Sequence, residues 1–204
     1  MLRAFLAVEL TDDLRTRLAD IQQDLRRRLS YVMPKTVRIA WVRPSSIHLT
    51  IKFLGDMDEQ LIEPLRLQIS HLMTEQRTMQ IPLTRLGVFP RLQQPRVLWA
   101  GPSGTWEQGD DAVRLAALHR SVEGCCHMLG FAPEGRPLSP HLTLARIKEG
   151  ERDAGRLLAQ SGALDQPLTI GSLDLNAIAL IRSELRPAGP VYTKLWEVGV
   201  ERHA

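Results

Sequence analysis

One short pattern occurs twice in this chain, at Ile47-His48-Leu49-Thr50-Ile51-Lys52-Phe53 and at Pro140-His141-Leu142-Thr143-Leu144-Ala145-Arg146. Each copy reads histidine, apolar, threonine, apolar, in a segment with the alternation of a half-buried strand. Side chains of a strand alternate between its faces. His48 therefore shares a face with Thr50, and His141 with Thr143, while Leu49, Ile51, Leu142 and Leu144 point into a core. Two strands of this kind constrain the fold: each needs an apolar backing and leaves a polar face, as the two walls of a cleft do. Threonine occupies 11 of 204 positions. Two such coincidences among six histidines arise in roughly four per cent of shuffled chains, so the bare pattern is suggestive and its surroundings matter.

The remaining periodicities supply that backing. Residues 2–9 read as a strand, and Thr11 with Asp12 and Asp13 offers a cap for a helix carrying Leu14, Leu18, Ile21, Leu25 and Leu29 on one face. Residues 37–42 and 46–54 read as strands separated by Pro44. A second amphipathic helix follows Asp58 with Leu61, Leu65, Ile69 and Leu72. Strand-like segments surround Gly87–Pro90 and Arg96–Ala100. A third helix runs from about Asp111 to Leu129 with Leu115, Leu118, Val122, Cys125 and Leu129 on one face, ended by Gly130. A strand at 138–147, a short helix near 153–161 and strands in 167–182 and 190–199 complete the chain. The Gly101–Asp111 stretch, rich in glycine, serine and aspartate, reads as an exposed connection between halves. Strands adjacent in sequence and irregular alternation with helices predict an α+β fold of mainly antiparallel sheet, not a doubly wound parallel one. Neither common glycine-rich phosphate loop is present.

Composition narrows the class. Hydrophobic residues make up 44% and charged residues 24%, an ordinary globular balance. No apolar run reaches the roughly 18 residues of a membrane span. The opening Met1–Glu9 resembles a signal peptide only superficially: Glu9 breaks the apolar stretch and charge follows, which favours a first strand and a cytoplasmic protein. Cys125 and Cys126 are adjacent and have no second pair, so they read as small buried helix residues in a reducing compartment; Cys125-Cys126-His127 lacks metal-site spacing. Net charge is +3, carried largely by arginine, which suits phosphate. Arg26, Arg27 and Arg28 read as a solvated helix face; Arg85, Arg91 and Arg96 are spread through a later segment, and a polyanionic partner is allowed.

The neighbourhoods of the two motifs carry a resemblance. Trp41-Val42-Arg43-Pro44 before His48, Lys52-Phe53-Leu54-Gly55 after it, and Pro140 through Arg146 resemble the two-histidine phosphoesterase superfamily. Within it they resemble the RNA 2',3'-cyclic phosphodiesterases, also called 2'-5' RNA ligase-like proteins. The likeness extends to Arg3-Ala-Phe-Leu-Ala-Val8, Gly87-Val-Phe-Pro90, Arg96-Val-Leu-Trp99 and Ser183 through Tyr192. It implies one domain over 1–204, with two pseudo-symmetric lobes each supplying a His-x-Thr strand to a central cleft. It also implies hydrolysis of an RNA 2',3'-cyclic end to a 2'-phosphate.

Paired imidazoles suit that reaction. Opening the ring needs a base for the attacking water and an acid for the departing ribose oxygen, and unperturbed histidine titrates near 6.5. One must be neutral and the other charged, so activity is expected to be bell-shaped in pH. The Thr50 and Thr143 hydroxyls suit non-bridging phosphate oxygens. The scheme requires no metal or other cofactor. The motifs are near mirror images and leave acid and base unassigned; by resemblance His48 protonates the 3' oxygen and His141 activates water. Arg146 matches a family arginine and would neutralise the phosphate, though strict alternation puts it opposite His141, so a twist or bulge is needed. Phe53 is its counterpart in the first motif, with core packing and ligand contact both open. Tyr192 reads as a half-buried aromatic or a base-stacking one. His71, His119, His127 and His203 lack such context. The rival readings are another cyclic phosphate or 2'-5' linkage as substrate, reversible 2'-5' ligation by the same acid and base, and a non-catalytic RNA-end binding module. No membrane and no obligate protein partner is expected.

Overall fold

The chain passes twice through one order of elements, strand, helix, histidine strand, helix, strand, in the computed structural model, which describes residues 1–166, 168–187 and 189–200. The first pass comprises β1 (Leu2–Val8), α1 (Asp12–Ser30), a short β2 (Arg38–Trp41), β3 (Leu49–Met57), α2 (Ile62–Thr74) and β4 (Met79–Leu83). A leading strand β5 (Arg85–Phe89) introduces the second: β6 (Val97–Gly101), α3 (Asp110–Met128), β7 (Leu142–Glu149), α4 (Glu151–Gln160) and β8 (Gly171–Leu175). A hairpin of β9 (Ala177–Arg186) and β10 (Gly189–Gly199) follows. The strand read over 167–182 is thus divided at Asn176, one part pairing with β4 and the other with β1; Pro167 and His203 lie outside the described residues.

Every strand pairing described is antiparallel. The main sheet runs β10-β9-β1-β3-β7-β6-β5, with β2 paired to β7, while β4 and β8 form a separate ribbon. Each histidine strand pairs with the first strand of its own pass, β3 with β1 and β7 with β6, and the two last strands, β4 and β8, pair with each other. The fold is α+β with mainly antiparallel sheet and flanking helices, in two lobes of repeated topology. The strands β3 and β7 meet at Leu49 and Leu142, where the lobes join. The Gly101–Asp111 segment does not connect the halves. It joins β6 to α3 inside the second pass and holds a 3-10 turn at Trp106–Gln108.

The helices form where their caps and stripes require. In α1 the Thr11 hydroxyl accepts the Leu14 amide at 3.3 Å, Asp12 and Asp13 occupy the first turn, and Arg27 and Arg28 the last, complementing the helix dipole. Its buried stripe is Leu14, Leu18, Gln22, Leu25 and Leu29, so Gln22 takes the place expected of half-buried Ile21. In α2 the stripe is Leu65, Ile69 and Met73, not Leu61 and Leu72, because a 3-10 turn at Glu59–Leu61 precedes the helix and resets its phase. In α3 it is Leu115, Leu118, His119, Val122 and Cys126; Cys125 is only half-buried, and Leu129 is the cap. One core cluster spans residues of both passes, including Leu6, Leu18, Ile51, Leu65, Leu118, Leu144 and Leu180.

Candidate active site

Both histidines stand one residue before their strands, not within them as the alternation implied: β3 starts at Leu49 and β7 at Leu142. The pair Leu49–Leu142 is fully internal, at 2% and 1% exposure. Antiparallel register at this pair sets His48 beside Thr143 and His141 beside Thr50, all four on the opposite, half-buried face. Each imidazole is fixed in the same way. His48 Nδ1 lies 2.9 Å from the Ser46 carbonyl and His141 Nδ1 lies 2.8 Å from the Ser139 carbonyl. A carbonyl only accepts, so both Nδ1 atoms carry hydrogen and donate, which leaves Nε2 of each ring for chemistry. These carbonyls lie just upstream of each strand, Ser46 at the end of a 3-10 turn over Pro44–Ser46 and Ser139 in irregular chain, each a serine two places before its histidine that the sequence reading passed over.

The same displacement occurs in both strands directly after the threonine. Along β1, Leu6 pairs with Lys52 and Ala7 with Thr50, skipping Ile51. Along β6, Leu98 pairs with Ala145 and Trp99 with Thr143, skipping Leu144. The burial sequence from Leu49 to Leu54 is identical to that from Leu142 to Ile147, with two consecutive buried residues at the bulge. A bulge shifts the phase of the strand that follows. Phe53 and Arg146, five places beyond their histidines, therefore turn to the cleft face, and both are exposed. Phe53 is 61% exposed and is not a core residue. The carbonyl of Leu144 is anchored: Gln22 Nε2 donates to it and to the Val42 carbonyl, both at 2.8 Å, and the Val42 amide donates at 2.9 Å.

Aromatic rings distinguish the two histidines. Phe5, 3% exposed, stacks on His48 with centroids 4.6 Å apart and planes at 26°. Tyr192 meets both Phe5 and His48 edge-on at 5.3 Å. Among the described residues His141 meets only the edge contact of Phe89, at 4.9 Å, and Phe89 in turn packs against Trp99 at 5.1 Å. Phe5 and Phe89 carried no functional signal in the sequence, since each reads as an ordinary strand aromatic. Burial pushes the His48 imidazole down to about 4, with the Arg146 charge adding to it and the Ser46 carbonyl opposing it. His141 is lowered for the same reasons, burial first and Arg146 next, against Ser139. Burial raises the Tyr192 hydroxyl, and Arg146 opposes that. Arg146 thus acts electrostatically on all three groups.

The other histidines stay apart from this group. His71 and His127 are exposed on helices, and His119 is buried in α3, its Nε2 3.9 Å from Glu123. Both cysteines are free. Among the described residues no three of histidine, cysteine, aspartate and glutamate gather to hold a metal ion, and no helix is long and apolar enough to cross a membrane. What the arrangement offers is two oriented imidazoles, two hydroxyls and a guanidinium on one face of the sheet. Chemically, such a set is able to exchange protons with an anionic centre.

Comparison with known proteins places the chain among relatives with this architecture. The profile of the LigT like phosphoesterases matches residues 8–99 and 109–192. An RNA 2',3'-cyclic phosphodiesterase of Methanothermobacter thermautotrophicus is 33% identical over 193 residues, covering 95% of this chain and 96% of that protein. One of Thermus thermophilus is 31% identical, covering 95% and 88%. Among solved structures, a Thermus thermophilus protein aligns over the whole of both chains with a TM-score of 0.74 and 25% identity. The apo form of Escherichia coli LigT aligns over 98% of each chain at 0.71 and 21% identity, a likeness of fold.

Proposed function

The chain belongs to the family of LigT-like phosphoesterases, and from that membership we propose that it is a hydrolase of RNA 2',3'-cyclic phosphate ends. The observation that carries the reading is the pair of imidazoles, each held through Nδ1 to the carbonyl two residues upstream, with Nε2 free. In the proposed step His141 Nε2 takes a proton from water as its oxygen attacks phosphorus. The bond from phosphorus to the 3' oxygen breaks, and His48 Nε2 gives that oxygen its proton. The product carries a 2'-phosphate and a free 3' hydroxyl; the pair returns to its starting state by exchange with solvent. Thr50 and Thr143 hold the non-bridging oxygens between the imidazoles, and Arg146 balances the charge that develops there. Phe53 and Tyr192 supply apolar surface beside the phosphate for the terminal ribose and base. We read residues 1–204 as one two-lobed domain, because one core and the Leu49–Leu142 pair span both lobes. Unbridged cysteines fit a cytoplasmic enzyme.

The test is incubation with a short RNA bearing a 2',3'-cyclic phosphate, in excess EDTA, with the position of the product phosphate identified. We expect a 2'-phosphate from the wild type and loss of turnover by a factor of about 100 or more in His48→Ala and in His141→Ala. An intact cyclic end with the wild type, or full activity in either variant, overturns the reading.

A further inference from the structure

Past the row of residues that carries Arg146 lies a groove of about 630 Å3 whose lining includes Arg91, Arg96 and Arg152. Many arginines have a carboxylate within 4.0 Å, among them Arg15, Arg28, Arg38, Arg66, Arg114 and Arg182. Among the described residues these three do not: Arg91 donates to the Gln94 amide oxygen at 2.8 Å, and Arg96 and Arg152 make no ion pair. Two carboxylates share the lining. Asp153 is engaged by Thr36 at 2.9 Å and Arg156 at 3.0 Å, leaving Glu151 against three cations. Three guanidiniums against one uncommitted carboxylate leave a cationic surplus in this groove, and guanidinium forks suit phosphate oxygens.

The groove adjoins the site. Phe89, Val97 and Arg146 lie in one row across β5, β6 and β7. Phe89 touches His141, and the chain beyond it runs directly to Arg91. Arg96 precedes Val97, and its carbonyl accepts the Ile147 amide at 2.9 Å. Gly150, in the opposite wall, stands four residues past Arg146, about 13 Å at 3.3 Å per residue. A cyclic phosphate closes the 3' end of an RNA, so the rest of the strand must leave the site in the 5' direction.

We propose that this groove binds the sugar-phosphate backbone upstream of the cyclic end, so that the enzyme prefers an oligonucleotide to a nucleoside 2',3'-cyclic phosphate. The inference rests on the cyclic phosphodiesterase reading. A cationic groove that follows the backbone binds without regard to sequence and with strong dependence on salt.

The experiment compares kcat/KM for adenosine 2',3'-cyclic phosphate with that for RNAs of two, four and six nucleotides ending in the cyclic phosphate, at several salt concentrations. At low salt the tetramer should exceed the mononucleotide by about tenfold or more, and its logarithmic salt slope should be steeper by about 0.7 for each phosphate engaged. The double variant Arg96→Ala/Arg152→Ala should lose most of the length gain and about 1.4 of the slope, with the mononucleotide rate unchanged. Equal kcat/KM at every length, or a length gain that survives in the double variant, overturns the groove while leaving the reaction intact. Turnover of neither substrate overturns both readings.

Discussion

Arg146 illustrates how one side chain bears on the titration of two others. Its charge and, more strongly, their burial hold both imidazoles below the ordinary histidine value, His48 at about 4. In the proposed mechanism the active form of the pair carries one proton, so the rate should follow the population of that form. In the free enzyme both limbs are shifted to acid, and the bell of kcat/KM should be centred below pH 6.5. A bound phosphodiester is an anion and favours imidazolium, so the bell of kcat should lie at higher pH than that of kcat/KM. Profiles between pH 3.5 and 9 check this, and a kcat/KM bell centred above 6.5 contradicts it. Arg146→Ala should lower kcat by about 100-fold or more, as loss of one preorganised donor does. It should also move the kcat/KM bell toward alkaline pH, because a positive neighbour has gone. A bell that stays in place in this variant would mean the guanidinium does not act on the pair.

At the scale of elements, the bulges decide what the strands present. Without the skipped residues Ile51 and Leu144, Phe53 and Arg146 would face the core side. Gln22 braces the second bulge from α1, and Gln22→Leu leaves the Val42 carbonyl without that donor. The variant should lose about 1–3 kcal/mol of stability, read as a lowered Tm. If the brace acts through Arg146, the accompanying fall in kcat should vanish in an Arg146→Ala background, and additive losses would refute that coupling. Strand β5 offers a second case. Gly87 pairs with Trp99, and a Cβ there would run into the indole ring. Gly87→Ala should therefore cost about 1–3 kcal/mol by overpacking and change the near-ultraviolet signal of Trp99. An unchanged melting curve would show that the ring does not cross this glycine.

Across the whole molecule, the two passes are tied together by a buried ion pair. Lys52, with no exposed side chain, donates to Glu123 of α3 at 2.6 Å and to the Ala132 carbonyl at 3.0 Å. Glu123 also accepts the Glu134 amide, and Glu134 accepts the amide of Phe53. The first bulge is thereby linked to the chain segment that leads into His141. Lys52→Met should cost up to about 3 kcal/mol in chemical denaturation, because it leaves the half-buried Glu123 carboxylate without its cation, and Lys52→Met/Glu123→Leu should recover much of it. A cost below about 1 kcal/mol for the single variant would refute the burial of this pair. None of these links is a local pattern. The periodicities of the chain, the Thr11 cap and the two His-x-Thr copies determined the antiparallel α+β class and singled out His48, Thr50, His141 and Thr143, which the fold gathers on one face, because a stripe, a cap and an alternating face each depend on residues a few places apart. The phase shift that turns Arg146 to the cleft, the brace by Gln22, the division of β8 from β9 and the gathering of Arg91, Arg96 and Arg152 were decided only in the tertiary structure. Each depends on cross-strand register or on partners tens to more than a hundred positions away, where sequence spacing carries no distance.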